Sequence, residues 1–168
     1  AEVDAIVKSI AYAGVRNAKR LAKLAHEETG FGIEADKVIK NIFGSRDVYE
    51  HIKDMKTIGE LGYDEEKKVR TIAVPVGVIA GLIPSTNPTS TAFYKSEISI
   101  KAGNAIVFSP HPSAAKCTLK AATLMRDAAV EAGAPENIIG CISMPSMPAT
   151  DELMHSKEVK MIIATGGP

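Results

Sequence analysis

Over the first thirty positions apolar residues recur three and four apart. Ile6, Ile10 and Ala13, then Ala18, Leu21, Ala22 and Ala25, follow a 3.6-residue period. The spacing predicts a helix over about 4–29, stopped by Gly30 and Gly32. A second helical pattern runs over 34–53, where Val38, Ile42, Tyr49 and Ile52 form a broken apolar stripe and Gly44 marks an interruption. The period then changes. Residues 57–62 and 67–74 are short and strand-like, with a polar turn at 63–66 between them, and read as a hairpin.

From position 76 onward two textures alternate. Segments 76–83, 105–108, 138–143 and 159–164 are almost wholly apolar and predict strands; segments 89–102, 112–132 and 148–155 predict helices. Strands with no polar side, separated by helices, indicate an α/β fold: a Rossmann-like parallel sheet with helices on both faces. The chain then divides into a helical part over 1–56, the hairpin over 57–74 and the sheet-forming part over 75–168, with no Gly- or Pro-rich linker and no internal repeat. The last strand runs straight into Gly166-Gly167-Pro168, and no helix follows. A doubly wound domain does not end on such a turn, so the Rossmann-like part is expected to be incomplete and the sequence to be a piece of a longer one.

Composition narrows the function classes. Apolar residues make up 45% and charged residues 24%, as in an ordinary globular protein. Lys+Arg and Asp+Glu both number 20, which leaves no net field to draw in nucleic acid or an anionic membrane, and neither partner is expected. Apolar runs such as 74–84 are far too short to span a bilayer. The charged, helix-like start lacks a secretory apolar region, so a cytoplasmic protein is expected. Two cysteines, Cys117 and Cys141, form no CxxC, and His26, His51, His111 and His155 are scattered; no metal site is expected.

Three segments can carry chemistry. The first, 75–90, is a buried strand that ends in a polar loop and opens a helix, with Asn87 in the loop and Pro88 at a first helical position. An amide there can donate into the crevice beyond the strand ends, where ligands of such sheets bind. From physics alone the plainer reading is that Asn87 caps the helix. The second, 103–113, is again a strand leading through a proline-rich loop. Ser109 and His111 can meet a ribose or an adenine there, or serve only the geometry of the loop. The third, 164–168, places glycines where a backbone can approach a pyrophosphate, although any tight turn can use them and no GxGxxG occurs. Lys95, Glu97 and Lys101 read as a solvated helix face, Cys117 and Cys141 as packed thiols, and the methionines of 144–154 as packing.

Together these segments resemble the aldehyde dehydrogenase superfamily, and within it the CoA-acylating branch. That branch includes the aldehyde dehydrogenase half of bifunctional aldehyde-alcohol dehydrogenases and the acetaldehyde, propionaldehyde and succinate-semialdehyde enzymes. The likeness rests on PVGVIAGLIPSTNPTST (75–91), KSEISIKAGNAIVFSPHPSAAK (95–116), GAPENIIG (133–140) and MIIATGGP (161–168), with GFGIEADKVIKNIF (30–43) and HIKDMKTIGEL (51–61) in support. It covers essentially the whole chain, in order and at the expected spacing.

The resemblance implies a mechanism. A cysteine thiolate attacks a short aldehyde, hydride passes to NAD, and the thioester is transferred to coenzyme A. An asparagine amide and the cysteine's own N–H hold the oxyanion. That asparagine matches Asn87. The loop beside the adenine ribose matches Ser109, Pro110, His111 and Pro112, and the turn near the pyrophosphate matches Thr165, Gly166 and Gly167. Hydrolytic members usually have lysine where Ser109 stands, which puts a lysine-to-ribose contact in doubt. The resemblance places the nucleophilic cysteine beyond 168; neither Cys117 nor Cys141 matches it, so the chain alone is expected to be inactive. It also makes the hairpin part of an oligomerisation or bridging element, and a homo-oligomer the expected full-length form. Two other readings stay open: a non-catalytic binding module built from the same half-domain, and the NAD-binding domain of another oxidoreductase.

Overall fold

The computed structural model describes residues 2–166. The first helix, α1 (Glu2–Thr29), buries the anticipated face through Ile6, Ile10, Ala18, Leu21, Ala22 and Ala25. Small alanines let its neighbours approach closely, and it packs against α2 (Glu34–Ile42), α4 (Pro88–Lys101) and α5 (Ala115–Glu131). At Gly44, where the second helical pattern was expected to be interrupted, the chain makes one π-helical turn, Phe43–Asp47, before α3 (Val48–Ile52). The glycine serves a close approach: a Cβ on Gly44 would lie 2.6 Å from the Ser90 carbonyl oxygen of α4.

The fully buried Asn41 fixes how α2 crosses the start of α4. Its Nδ2 donates to the Ala18 carbonyl at 3.0 Å, and its Oδ1 accepts from the Thr89 hydroxyl at 2.7 Å. A buried amide with both ends satisfied specifies one arrangement of three helices.

The hairpin forms as β1 (Gly59–Asp64) and β2 (Val69–Ala73), antiparallel and paired only with each other. Its turn falls two residues later than the sequence predicts. The Asp64 carboxylate collects the N–H groups of Glu66 and Lys67, so the turn begins at Asp64 and the strand extends to meet it. These bonds hold the Asp64 carboxyl below its usual range.

The sheet proper has four parallel strands in the order β5-β4-β3-β6: β5 (Ile139–Cys141), β4 (Ala105–Pro110), β3 (Val78–Ile83) and β6 (Val159–Ile163). All four expected strands lie side by side and parallel. From β3 the chain steps to β4 and on to β5, then returns through α6 (Met147–His155) to β6 on the far side of β3. Right-handed crossovers put α4 and α5 on one face of the sheet and α6 on the other. The strand order reverses between β3 and β6, and the crevice at their carboxyl ends is the ligand position of such sheets.

The helix α4 corrects one expectation. Lys95 and Glu97 are 0% exposed and Lys101 is 5% exposed, so they form no solvated face. Pressed against α1, α5, β3 and β4, this helix has little surface left for water. Lys101 meets Asp4 at 2.6 Å and the Lys53 carbonyl at 2.7 Å, and the bond to Lys101 lowers the Asp4 carboxyl. Neither carboxyl oxygen of Glu97 has a hydrogen-bond partner, and burial pushes its pKa up to about 9.

Candidate functional site

The strand β3 ends at Ile83, and the loop Pro84–Asn87 carries the chain over the carboxyl edge into α4, with Pro88 in the first turn. Asn87 stands at the N-cap position, yet its side chain makes no bond to the first turn. Its backbone carbonyl receives the Thr91 N–H at 3.2 Å, so the helix starts properly without the amide's help. The capping role that plain physics favoured is not the one the side chain performs. Instead Oδ1 accepts from Lys40 Nζ of α2 at 3.0 Å. A lysine only donates, so this contact decides which end of the amide faces α2. Three residues earlier on the same face, Lys37 donates to the Thr86 carbonyl at 2.7 Å. Lys37 is buried, and that desolvation, with the neighbouring Lys40 charge, lowers its pKa. Lys37, Lys40, Thr86 and Asn87 line one small pocket closed by Gly32 and Asp36.

Across the crevice, β6 delivers Thr165 and Gly166. The Thr165 hydroxyl lies 2.8 Å from the Tyr94 hydroxyl of α4. Gly166 has φ +120°, which side chains rarely adopt, and a Cβ there would point at Pro84, 3.6 Å away. The open side of this turn is backbone, the surface a phosphate can approach most closely. Gly167 lies outside the described residues. Beneath the crevice Lys95 donates to Leu82 O of β3 at 2.6 Å and Ile163 O of β6 at 2.8 Å. Burial lowers its pKa to about 8. It ties the two strands together where the order reverses.

The loop after β4 is built differently. Ser109 is 4% exposed and its hydroxyl sits 2.7 Å from the Thr150 hydroxyl of α6. Pro110 is the buried last residue of β4. His111 is exposed; its Nδ1 accepts from the Ser113 N–H at 3.2 Å, capping the 3₁₀ turn Pro112–Ala114. This is the loop-geometry role considered for it. The exposed Pro112 opens that turn.

The cysteines are inert in this setting. Burial, with Glu28 beside it, raises the Cys117 thiol to about 12, and burial raises Cys141 to about 12. Both stay protonated at neutral pH. Among the described residues no group of three His, Cys, Asp or Glu side chains is placed to hold a metal, and no helix is long and apolar enough to cross a membrane. Sequence reasoning overlooked Lys37, Lys40 and Tyr94, and took Lys95 for a solvated residue. The i, i+3 spacing of the first two was visible, but nothing local says that α2 lies over the 84–88 loop.

The fold has known counterparts. The chain is 49% identical over 167 residues to the bifunctional aldehyde-alcohol dehydrogenase of Escherichia coli; the match takes in 99% of this chain and 19% of that protein. An acetylating aldehyde dehydrogenase from Geobacillus thermoglucosidasius superposes with a TM-score of 0.97 at 58% identity, over 99% of this chain and 37% of that one. A Rhodopseudomonas palustris propionaldehyde dehydrogenase with bound propionyl-CoA superposes with a TM-score of 0.85 at 31% identity, over 100% of this chain and 37% of that one. The chain thus spans well under half the length of these relatives. The model of the aldehyde dehydrogenase family matches residues 1–168, and the chain belongs to that family.

Proposed function

We propose that this chain forms the first part of a CoA-acylating aldehyde dehydrogenase that interconverts a short aldehyde and its acyl-CoA with NAD, working in the cytoplasm as a homo-oligomer. In this reading residues 1–56 and 75–168 belong to the NAD-binding domain. Residues 57–74 form a bridging element between subunits, a role that suits a self-paired hairpin with Leu61, Tyr63, Val69 and Ile72 exposed. The observation that carries the reading is Asn87: it stands at the carboxyl edge where the strand order reverses, and it is not used as a cap.

The crevice suits a dinucleotide. Gly166 offers bare backbone to a pyrophosphate opposite Pro84, Thr165 is steadied by Tyr94, and Ser109, Pro110, His111 and Pro112 border the neighbouring strand end, where the adenosine end would lie. Gly167 is proposed to share that pyrophosphate contact. NAD, when bound, accepts the hydride. The chain's own residues do the rest of the work: Lys95 holds β3 and β6 in register, and Asn87 donates to the oxygen of the attacked carbonyl as charge develops there. The attacking thiolate belongs to a part of the enzyme outside this chain, since Cys117 and Cys141 stay protonated.

Substituting Asn87 in the full-length enzyme tests this. Asn87→Ala should lower kcat by about 10²–10³ while NAD binding and the melting temperature stay near normal. Asn87→Asp should fold equally well and lose most of the acylating activity, because a carboxylate repels the oxyanion. A variant that melts early but keeps its rate would make Asn87 a structural residue and remove the support for this reading.

A further inference from the structure

We propose that Lys40 is a positioning residue for the reaction: by bonding the Asn87 carbonyl oxygen it holds the amide with Nδ2 toward the substrate and strengthens that N–H as a donor. The inference rests on the reading of Asn87 as the oxyanion donor. It starts from a property of amides. The two ends of an asparagine side chain are nearly the same size, so a half-turn about the last torsion exchanges donor for acceptor at little steric cost. An asparagine that must meet a developing negative charge therefore needs something to choose the end. Capping bonds, the usual device, are absent at Asn87. The contact that the structure supplies is Lys40 Nζ at 3.0 Å from Oδ1. Because an ammonium group cannot accept, the reversed amide would place N–H against N–H and is disfavoured while that contact is kept.

Two further features make the contact more than an accident of a long side chain. Lys37, one turn earlier, holds the Thr86 carbonyl at 2.7 Å, so the same helix grips the loop at two consecutive residues. The helix itself is fixed over this loop by the buried Asn41, which bonds both Ala18 and Thr89. The charge also acts in the right direction. A cation on the carbonyl oxygen draws electron density through the amide and makes the N–H more acidic, and coupled hydrogen bonds strengthen one another in this way. As negative charge grows on the substrate oxygen, Lys40 adds favourable field from behind the donor.

A double-mutant cycle in the full-length enzyme separates the possibilities. Lys40→Met keeps the length of the side chain and removes the charge. It should lower kcat about tenfold, a fraction of the loss from Asn87→Ala, with little change in the KM for aldehyde or in the melting temperature. In the Asn87→Ala background the same Lys40→Met change should cost less than about twofold, since the residue it acts through is gone. Lys40→Arg, which still donates to Oδ1, should recover most of the rate. Three results would overturn the proposal: a Lys40→Met enzyme with full kcat, a loss that is undiminished in the Asn87→Ala background (direct contact with substrate), or a lowered melting temperature with unchanged rate per folded molecule. The underlying reading fails separately, if Asn87→Ala alone leaves kcat intact.

Discussion

The two faces of the sheet are occupied by helices of opposite character. On one face α4 is buried along nearly its whole length, including Lys95, Glu97 and Lys101. On the other, α6 has no buried residue at all. Both helices start from a proline in the first turn and both connect parallel strands. They differ in what lies over them: α4 sits beneath α1 and beside α5, whereas α6 meets mainly β6. Burial here is decided by the neighbours a helix acquires, and composition alone misjudges it. The strands repeat the lesson. Apolar β3, between β4 and β6, is mostly buried, while β6, apolar apart from Lys160, has one strand partner and leaves Met161 and Ile162 44% and 46% exposed.

The sharpest test of the contrast is to delete one large apolar side chain from each helix. Phe93 of α4 is fully buried, and Phe93→Ala should cost about 3–5 kcal/mol in denaturant unfolding. Leu153→Ala in the half-buried part of α6 should cost less than about 1 kcal/mol. Equal losses would mean that the second face is as well packed as the first.

Glu97 comes next. Folded, it keeps its proton up to about pH 9; unfolded, it releases it near its ordinary value of 4.5. The unfolded chain therefore binds fewer protons between those limits, and stability should be greatest below about 4.5 and fall as pH rises towards 9. Glu97→Leu removes two unpartnered oxygens from the core and should stabilise the protein by about 1–3 kcal/mol at neutral pH while flattening this dependence. Unfolding curves at pH 5, 7 and 9 would measure both effects. An unchanged slope in the variant would assign the pH dependence to other groups.

The smallest effect should appear where the two regions are joined by one polar bond. Ser109→Ala removes the hydroxyl contact from β4 to Thr150 of α6 and should cost about 0.5–1.5 kcal/mol. Hydrogen exchange should then quicken in α6 and remain slow in α4. Uniform quickening would show that α6 is not anchored through Ser109.

The sequence by itself determined the periodic elements and their kind. Alanines and leucines at helical spacing make α1 whatever surrounds it. Apolar runs bounded by Gly, Pro and Asn make strands that must be covered, and their alternation with helices leads to a parallel sheet. It also placed Asn87, Ser109 and Thr165 at the strand ends, because a loop between strand and helix has nowhere else to go. Tertiary structure alone decided the rest. Position 44 has no room for a side chain because the backbone of Ser90 lies against it. Lys95 and Lys101 became buried donors because carbonyls and Asp4 from distant segments meet them there. Asn87 was freed from capping because Lys40, 47 positions earlier, reaches its carbonyl oxygen. The physical reason is the same in each case. Local pattern specifies which backbone hydrogen bonds a segment makes with itself, whereas the partner of a side chain depends on which segments the folded topology brings across it.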